Sequence, residues 1–207
     1  MDVVLVGTVQ GLVAEAARVR EAFEAARPRA VALGVSPEAA GALLRYQPVE
    51  GADPFDDLPD AELAFAARLQ EYGDVALPPP DLLEAVRLAR EAGVPVYGAD
   101  LPEERYEEVF AAEVSAWGLL RYGRVQRKLA KRPPAAPDAR AFALAWDARL
   151  RRIKGLDRVE RAREAHVAAT ARSLARQAGG PLLLVVDAAR EPGVRAHLEE
   201  GAGLEGS

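Results

Sequence analysis

Met1-Asp2-Val3-Val4-Leu5-Val6-Gly7-Thr8-Val9-Gln10-Gly11-Leu12 opens the chain with four consecutive apolar residues running into a Gly-Thr pair. A helical pattern follows, with Leu12, Ala16, Val19 and Phe23 spaced by four, three and four. An uninterrupted apolar strand is buried on both faces, as in a parallel sheet covered by helices. In such sheets the ligand crevice lies beyond the carboxyl ends of the strands. Chemistry is therefore expected at the turn Thr8 to Gln10 and at the equivalent turns after later strands.

The first helix is expected over about Gly11 to Ala26 and ends near Arg27-Pro28, since proline cannot continue it. Ala30 to Val35 reads as a second strand, so strand, helix and strand form a crossover unit. Ser36-Pro37-Glu38 is an N-cap followed by proline at the first helical position, and that helix runs to about Tyr46. Gln47 to Pro59 is a loop whose Asp53, Asp56 and Asp57 lack the ligand spacing of a calcium loop. Asp60 to Tyr72 is helical, with Leu63, Ala66, Ala67 and Gln70 on one face.

Pro78-Pro79-Pro80-Asp81 starts the next helix, Leu82, Val86 and Ala89 form its stripe, and Gly93 ends it. Val94 to Gly98 is a strand ending in Ala99-Asp100, which places a carboxylate at the carboxyl edge. From about 102 to 179 no strand is evident, and the segment reads as an all-helical insert before the last strand. Its first helix starts on Glu103, Glu104, Glu107 and Glu108, favourable against the helix dipole, and carries Val109, Ala112, Ala116, Leu119 and Leu120. Lys131 to Asp138 is a break; Phe142, Trp146 and Leu150 mark a second helix, and Leu156 to Gln177 a third. Pro181 to Val186 is the final strand, followed by Asp187-Ala188-Ala189-Arg190, a short helix over Pro192 to Glu199 and a tail from Gly201 to Ser207. The fold class is thus α/β, a mostly parallel central sheet flanked by helices, in one domain over residues 1–207.

Composition narrows the function classes. There is no cysteine, which excludes disulfides, thiolate nucleophiles and Cys-based zinc sites, and only His166 and His197 offer imidazoles. A net charge of −5 does not point to nucleic-acid or anionic-membrane binding. The longest uncharged stretch, Val3 to Ala14, is too short to cross a membrane, and no leader pattern precedes it, so a cytoplasmic protein is expected. Lysine occurs only at 128, 131 and 154; arginine takes the other basic positions, a weak sign of a GC-rich, thermophilic source. The run Arg121, Arg124, Arg127, Lys128, Lys131 and Arg132 is read as a solvated face or one that pairs with acid in a partner subunit, with a nucleic-acid stripe as the alternative.

Several segments, in order, are similar to a known family. Val3 to Val9, the following helix and Arg27 to Leu33 resemble the start of the TraB/PrgY proteins, relatives of the TIKI metalloproteases and more distantly of the erythromycin-esterase and ChaN-like proteins. Leu82 to Asp100 resembles the family's helix and Asp-terminated strand. Arg163-Glu164-Ala165-His166-Val167-Ala168 resembles its Glu-Arg-Asp-x-x-Met-Ala helix, and Pro181 to Leu198 its last strand, turn and helix. The resemblance implies a divalent metal or hydrolytic chemistry built on two Gly-x-x-His turns and nearby glutamates. This chain departs at each of those positions: Gln10 and Arg190 stand for the two histidines, Gly34 and Ala162 for the two glutamates.

An amide and a cation are poor seats for a divalent ion. The expected function is therefore that of a catalytically degenerate TraB-like protein with a ligand-binding, partner-binding or regulatory role, with no cofactor. The alternative is a metal-dependent hydrolase of peptide or ester bonds drawing ligands from Asp100, Glu164, His166 and Asp187. The candidate pocket comprises Thr8, Gln10, Asp100, Arg163, Glu164, Asp187 and Arg190. Its arginines either grip a small anionic ligand or form a salt bridge in the vacated metal site, the second being preferred. Trp117, Trp146, Phe110 and Phe142 are expected in the core of the insert; any left exposed would mark a homodimer contact.

Overall fold

The computed structural model describes residues 3–48, 55 and 58–204, so Asp53, Asp56 and Asp57 lie outside the described residues. Four strands, β1 (Val3–Thr8), β2 (Ala30–Leu33), β3 (Val96–Gly98) and β4 (Leu182–Asp187), form one parallel sheet in the order β1-β4-β2-β3. The last strand in sequence is thus central. It separates β1 from β2, the two strands that the opening crossover unit joins.

Alternation along β4 sorts its side chains between two cores. Leu183 and Val185 meet Val19 of α1 (Glu15–Ala26), Ala40 of α2 (Pro37–Arg45) and Leu82, Ala85, Val86 and Ala89 of α4 (Pro80–Ala92). Leu182, Leu184 and Val186 meet Val167, Ala168, Ala171 and Ala175 of α8 (Lys154–Ala178) and Val194 of α9 (Glu191–Leu204). All five of these β4 residues are buried, as expected of a strand covered on both faces.

A third core caps the carboxyl edge of the sheet. It joins Val9, Leu12 and Ala188 to Leu69 of α3 (Asp60–Leu69), Leu129 of α6 (Ala116–Lys131) and Phe142 and Trp146 of α7 (Ala139–Leu150). Phe65 stacks on Phe142 at 5.4 Å and meets Trp146 edge-on at 5.3 Å. The segment 102–179 is wholly helical, as α5 (Glu103–Glu113) to α8. Yet α8 forms one face of the sheet sandwich, while α6 and α7 roof the carboxyl edge.

The helix expected to reach Tyr72 ends at Leu69, and three further boundaries differ from the expected ones for a local reason. The first helix begins at Glu15, because Gly11 turns the chain with φ at +97° and the backbone pairs with a neighbouring segment instead. There Val13 N–H donates to Asp74 C=O and Ala76 N–H to Gly11 C=O, both at 2.9 Å. The acidic helix stops at Glu113, where Val114 turns extended and Ser115 caps a new helix by accepting from Gly118 N–H. That break rotates Trp117, Leu119 and Leu120 outward; Trp117 is 71% exposed, whereas Phe142 and Trp146 are buried. Finally, α9 runs to Leu204 instead of ending near Glu199, and Arg172 of α8 ties it down by donating to the His197 carbonyl at 2.7 Å.

Candidate functional site

The chain leaves β1 toward α1 on one face of the sheet and leaves β4 toward α9 on the other. These two strands are neighbours, with Thr8 in register with Asp187. Their exits diverge, so a crevice opens between them at the carboxyl edge, as topological switch points do. Two adjoining cavities occupy it, of about 460 and 330 Å³, and Gln10 and Arg190 line both. No protein hydrogen bond to the Gln10 carboxamide is seen among the described residues.

The smaller cavity is walled by an ion-pair quartet. Arg190 Nη1 donates to Asp100 Oδ2 at 2.9 Å and to the Gly34 carbonyl at 3.2 Å, and its Nε donates to Glu160 Oε2 at 3.0 Å. Arg163 Nε donates to Asp100 Oδ2 at 3.0 Å and Nη1 to Glu160 Oε1 at 2.9 Å. The Arg163 guanidinium also lies over the Tyr106 ring, 5.2 Å from its centre. Each carboxylate is held by both arginines, and two cations balance two anions. Burial pushes the Asp100 carboxyl up, but the hydrogen bond and charge of Arg163 and the charge of Arg190 outweigh it and hold Asp100 below the usual range. Glu160 is held low against burial by the charges of Arg190 and Arg163.

The larger cavity differs in kind. Its walls are apolar, including Leu58, Phe65, Leu69, Leu77 and Trp146, and its polar groups include Asp147, Asp187, Tyr122 and Gln126 beside Gln10 and Arg190. Burial pushes Asp187 above the usual carboxylate range, even though its Oδ1 accepts from Ala189 N–H at 2.7 Å. Asp147 is also raised by burial despite a 2.5 Å bond from Arg151 Nε.

Of the residues singled out in the sequence, Gln10, Asp187 and Arg190 line the larger cavity, and Gln10, Asp100, Arg163 and Arg190 the smaller. Thr8 does not join them. It shares the strand face of Val4 and Val6, so its buried hydroxyl points toward α4 and donates to Asp81 Oδ2 at 2.7 Å. Glu164 is also turned away: Arg151 binds it, and it lies so close to Gly193 that a Cβ there would fall 2.2 Å from Oε2. Ala162 and His166 line neither cavity. Gly34 is pressed against Val186, where a Cβ would lie 3.0 Å from Val186 Cγ1, so a glutamate has no ready room at that strand end.

Glu160, Tyr106, Asp147, Arg151 and Asp81 were not singled out in the sequence. Glu160 stands three residues before Arg163 and Asp147 four before Arg151, spacings that place each pair on one helix face. Asp81 is fully buried, its Oδ1 has no hydrogen-bond partner, and burial raises its pKa to about 6 against the lowering effect of Thr8.

The donor set does not fit a divalent cation. Asp100 and Glu160 are neutralised by two arginines, Glu164 belongs to Arg151, and Gln10 and Arg190 supply an amide and a cation. Among the described residues no three His, Asp or Glu side chains are grouped so as to hold a metal ion. Among them, too, no helix is long and apolar enough to cross a membrane. The chain matches no model of a known protein family and no curated protein.

Proposed function

We propose that this chain is a divergent TraB-like domain that binds a small molecule in the carboxyl-edge crevice without catalysing a reaction on it. One observation carries the reading. Arg190 stands where the resemblance puts a metal-binding histidine, and its guanidinium is committed to Asp100, Glu160 and the Gly34 carbonyl. An arginine so engaged neither tolerates an adjacent cation nor offers a free fork to an anion. A metal-dependent hydrolase and a small anionic ligand are both less well supported for that reason.

The larger cavity favours a compact ligand with an apolar body and hydrogen-bond donors along one edge. At about 460 Å³ it has the size of a small-molecule site, and Asp147, Asp187 and the Gln10 carbonyl oxygen are acceptors set in an apolar wall. Trp146 lines this cavity, so its fluorescence reports occupancy. With Trp117→Phe as background, fragments of that description are expected to change Trp146 emission saturably, and Ala61→Phe to abolish the response. If no such fragment saturates, or if the protein carries a stoichiometric divalent metal and hydrolyses esters or peptides, the reading fails.

The reading extends to self-association. Trp117, Leu119 and Leu120 are exposed at the start of α6, at 71%, 48% and 55%, and Trp117 and Leu120, three apart, share a helix face that a second copy would cover in a homodimer.

A further inference from the structure

We propose that the groove between α6 and the end of α7 is a binding site for a compact, multiply charged phosphate anion. It is independent of the crevice: Tyr122 and Gln126 of α6 face the crevice, and the groove lies about 100° round the same helix, on the face of Arg121, Lys128 and Arg132. The basic run of α6 and its C-cap supplies three of its five cations, Arg121, Lys128 and Arg132. Arg149 at the end of α7 and Arg152 just beyond bring two more guanidinium groups to the same concavity of about 540 Å³.

The five cations are set apart by their convergence on one hollow without an acid, unlike the partly buried Arg140, Arg151, Arg163 and Arg190, each of which binds a carboxylate. Among the described residues, no carboxylate pairs with Arg121, Lys128, Arg132, Arg149 or Arg152, and no acid lines the groove. Arg149 Nη1 instead donates to the Arg132 carbonyl at 3.3 Å, which ties the end of α7 to the end of α6. In a chain of net charge −5, five cations around one hollow with no acid in its lining make a local positive field that a multiply charged anion complements. Leu129 and Val125 form the apolar floor beneath those charges. A hollow of this size suits a di- or triphosphate group better than an extended polymer backbone, which would need a longer track.

Isothermal titration of the full chain with sodium tripolyphosphate at about 20 mM salt tests this, since charge pairing is strongest where screening is weak. One equivalent should bind, more weakly as salt rises, and orthophosphate should bind at least about tenfold more weakly because it meets fewer donors. Lys128→Gln with Arg152→Gln should lower tripolyphosphate affinity by about tenfold or more while the thermal melt is unchanged. Arg161→Gln, which removes an exposed cation outside the groove, should leave affinity unaltered. The proposal is overturned if tripolyphosphate does not bind, if the double variant binds it equally well, or if single-stranded oligonucleotides bind with affinity that climbs with length and displace it.

Discussion

Asp81→Asn isolates one buried charge and its effect on stability as pH changes. Asp81 sits fully buried in the first turn of α4, with Thr8 donating to one oxygen and nothing to the other. Its pKa is raised from an ordinary 3.8 to about 6, chiefly by burial, with Asp187 and Glu15 adding like charge. A raised acid holds its proton more tightly in the folded chain than in the unfolded one. Its contribution to stability is complete well below the ordinary 3.8 and is lost as pH climbs through about 6. The difference between 3.8 and about 6 corresponds to ~3 kcal/mol. Asparagine accepts the same hydrogen bond from Thr8 and never ionises. Urea unfolding of both proteins between about pH 4 and pH 7.5 should show the variant gaining ~2.4 kcal/mol of that on the wild type, whatever the constant offset from packing. A difference that stays flat with pH would show that Asp81 titrates as an ordinary carboxylate and that the space around it is not dry.

Arg190→Ala leaves Asp100 and Glu160 with Arg163 alone and should cost ~2–3 kcal/mol, seen as a fall of several degrees in the thermal midpoint; an unchanged midpoint would mean the quartet contributes nothing. Gly7→Ala would set a Cβ 2.8 Å from Glu191 Cβ and should destabilise by ~1–3 kcal/mol in chemical denaturation, whereas a neutral result would show that α9 shifts freely over β1. Sedimentation at micromolar concentration should give a dimer, converted to monomer by Trp117→Ser with Leu120→Ser; a monomeric wild type removes the self-association reading.

The crevice was legible in the sequence because strand ends are marked locally. Gly7-Thr8, Ala99-Asp100 and Val186-Asp187 each close an apolar run, and residues just past such runs must lie at one edge of a parallel sheet. So Gln10, Asp100, Asp187 and Arg190 were findable from pattern alone. Thr8 was legible too, but was misread: it has the parity of Val4 and Val6, which sends it to α4 and away from the crevice. Strand order was not legible. Placing β4 between β1 and β2 depends on pairing residues almost the whole chain apart, and no local signal encodes that. The exposure of Trp117 was hidden for a different reason. The apolar spacing runs through Val114-Ser115 without interruption, and only the cap made by Ser115 turns the next helix outward. The partners of Arg163 were half visible, since Glu160 and Glu164 are both close in sequence. Helix spacing picks Glu160, three residues back on the same face, over the adjacent Glu164, whereas Asp100 reaches Arg163 only through the fold.

The ion-pair quartet as a closed seat is most directly tested by metal analysis of protein purified without chelator and then titrated with Mn, Co and Zn. Less than about one-tenth of an equivalent per chain is expected, in wild type and in Arg190→Ala alike, since Arg163 still holds Asp100 and Glu160. One equivalent of any of these ions on the wild-type chain, lost on replacing Asp100 or Asp187, would contradict it.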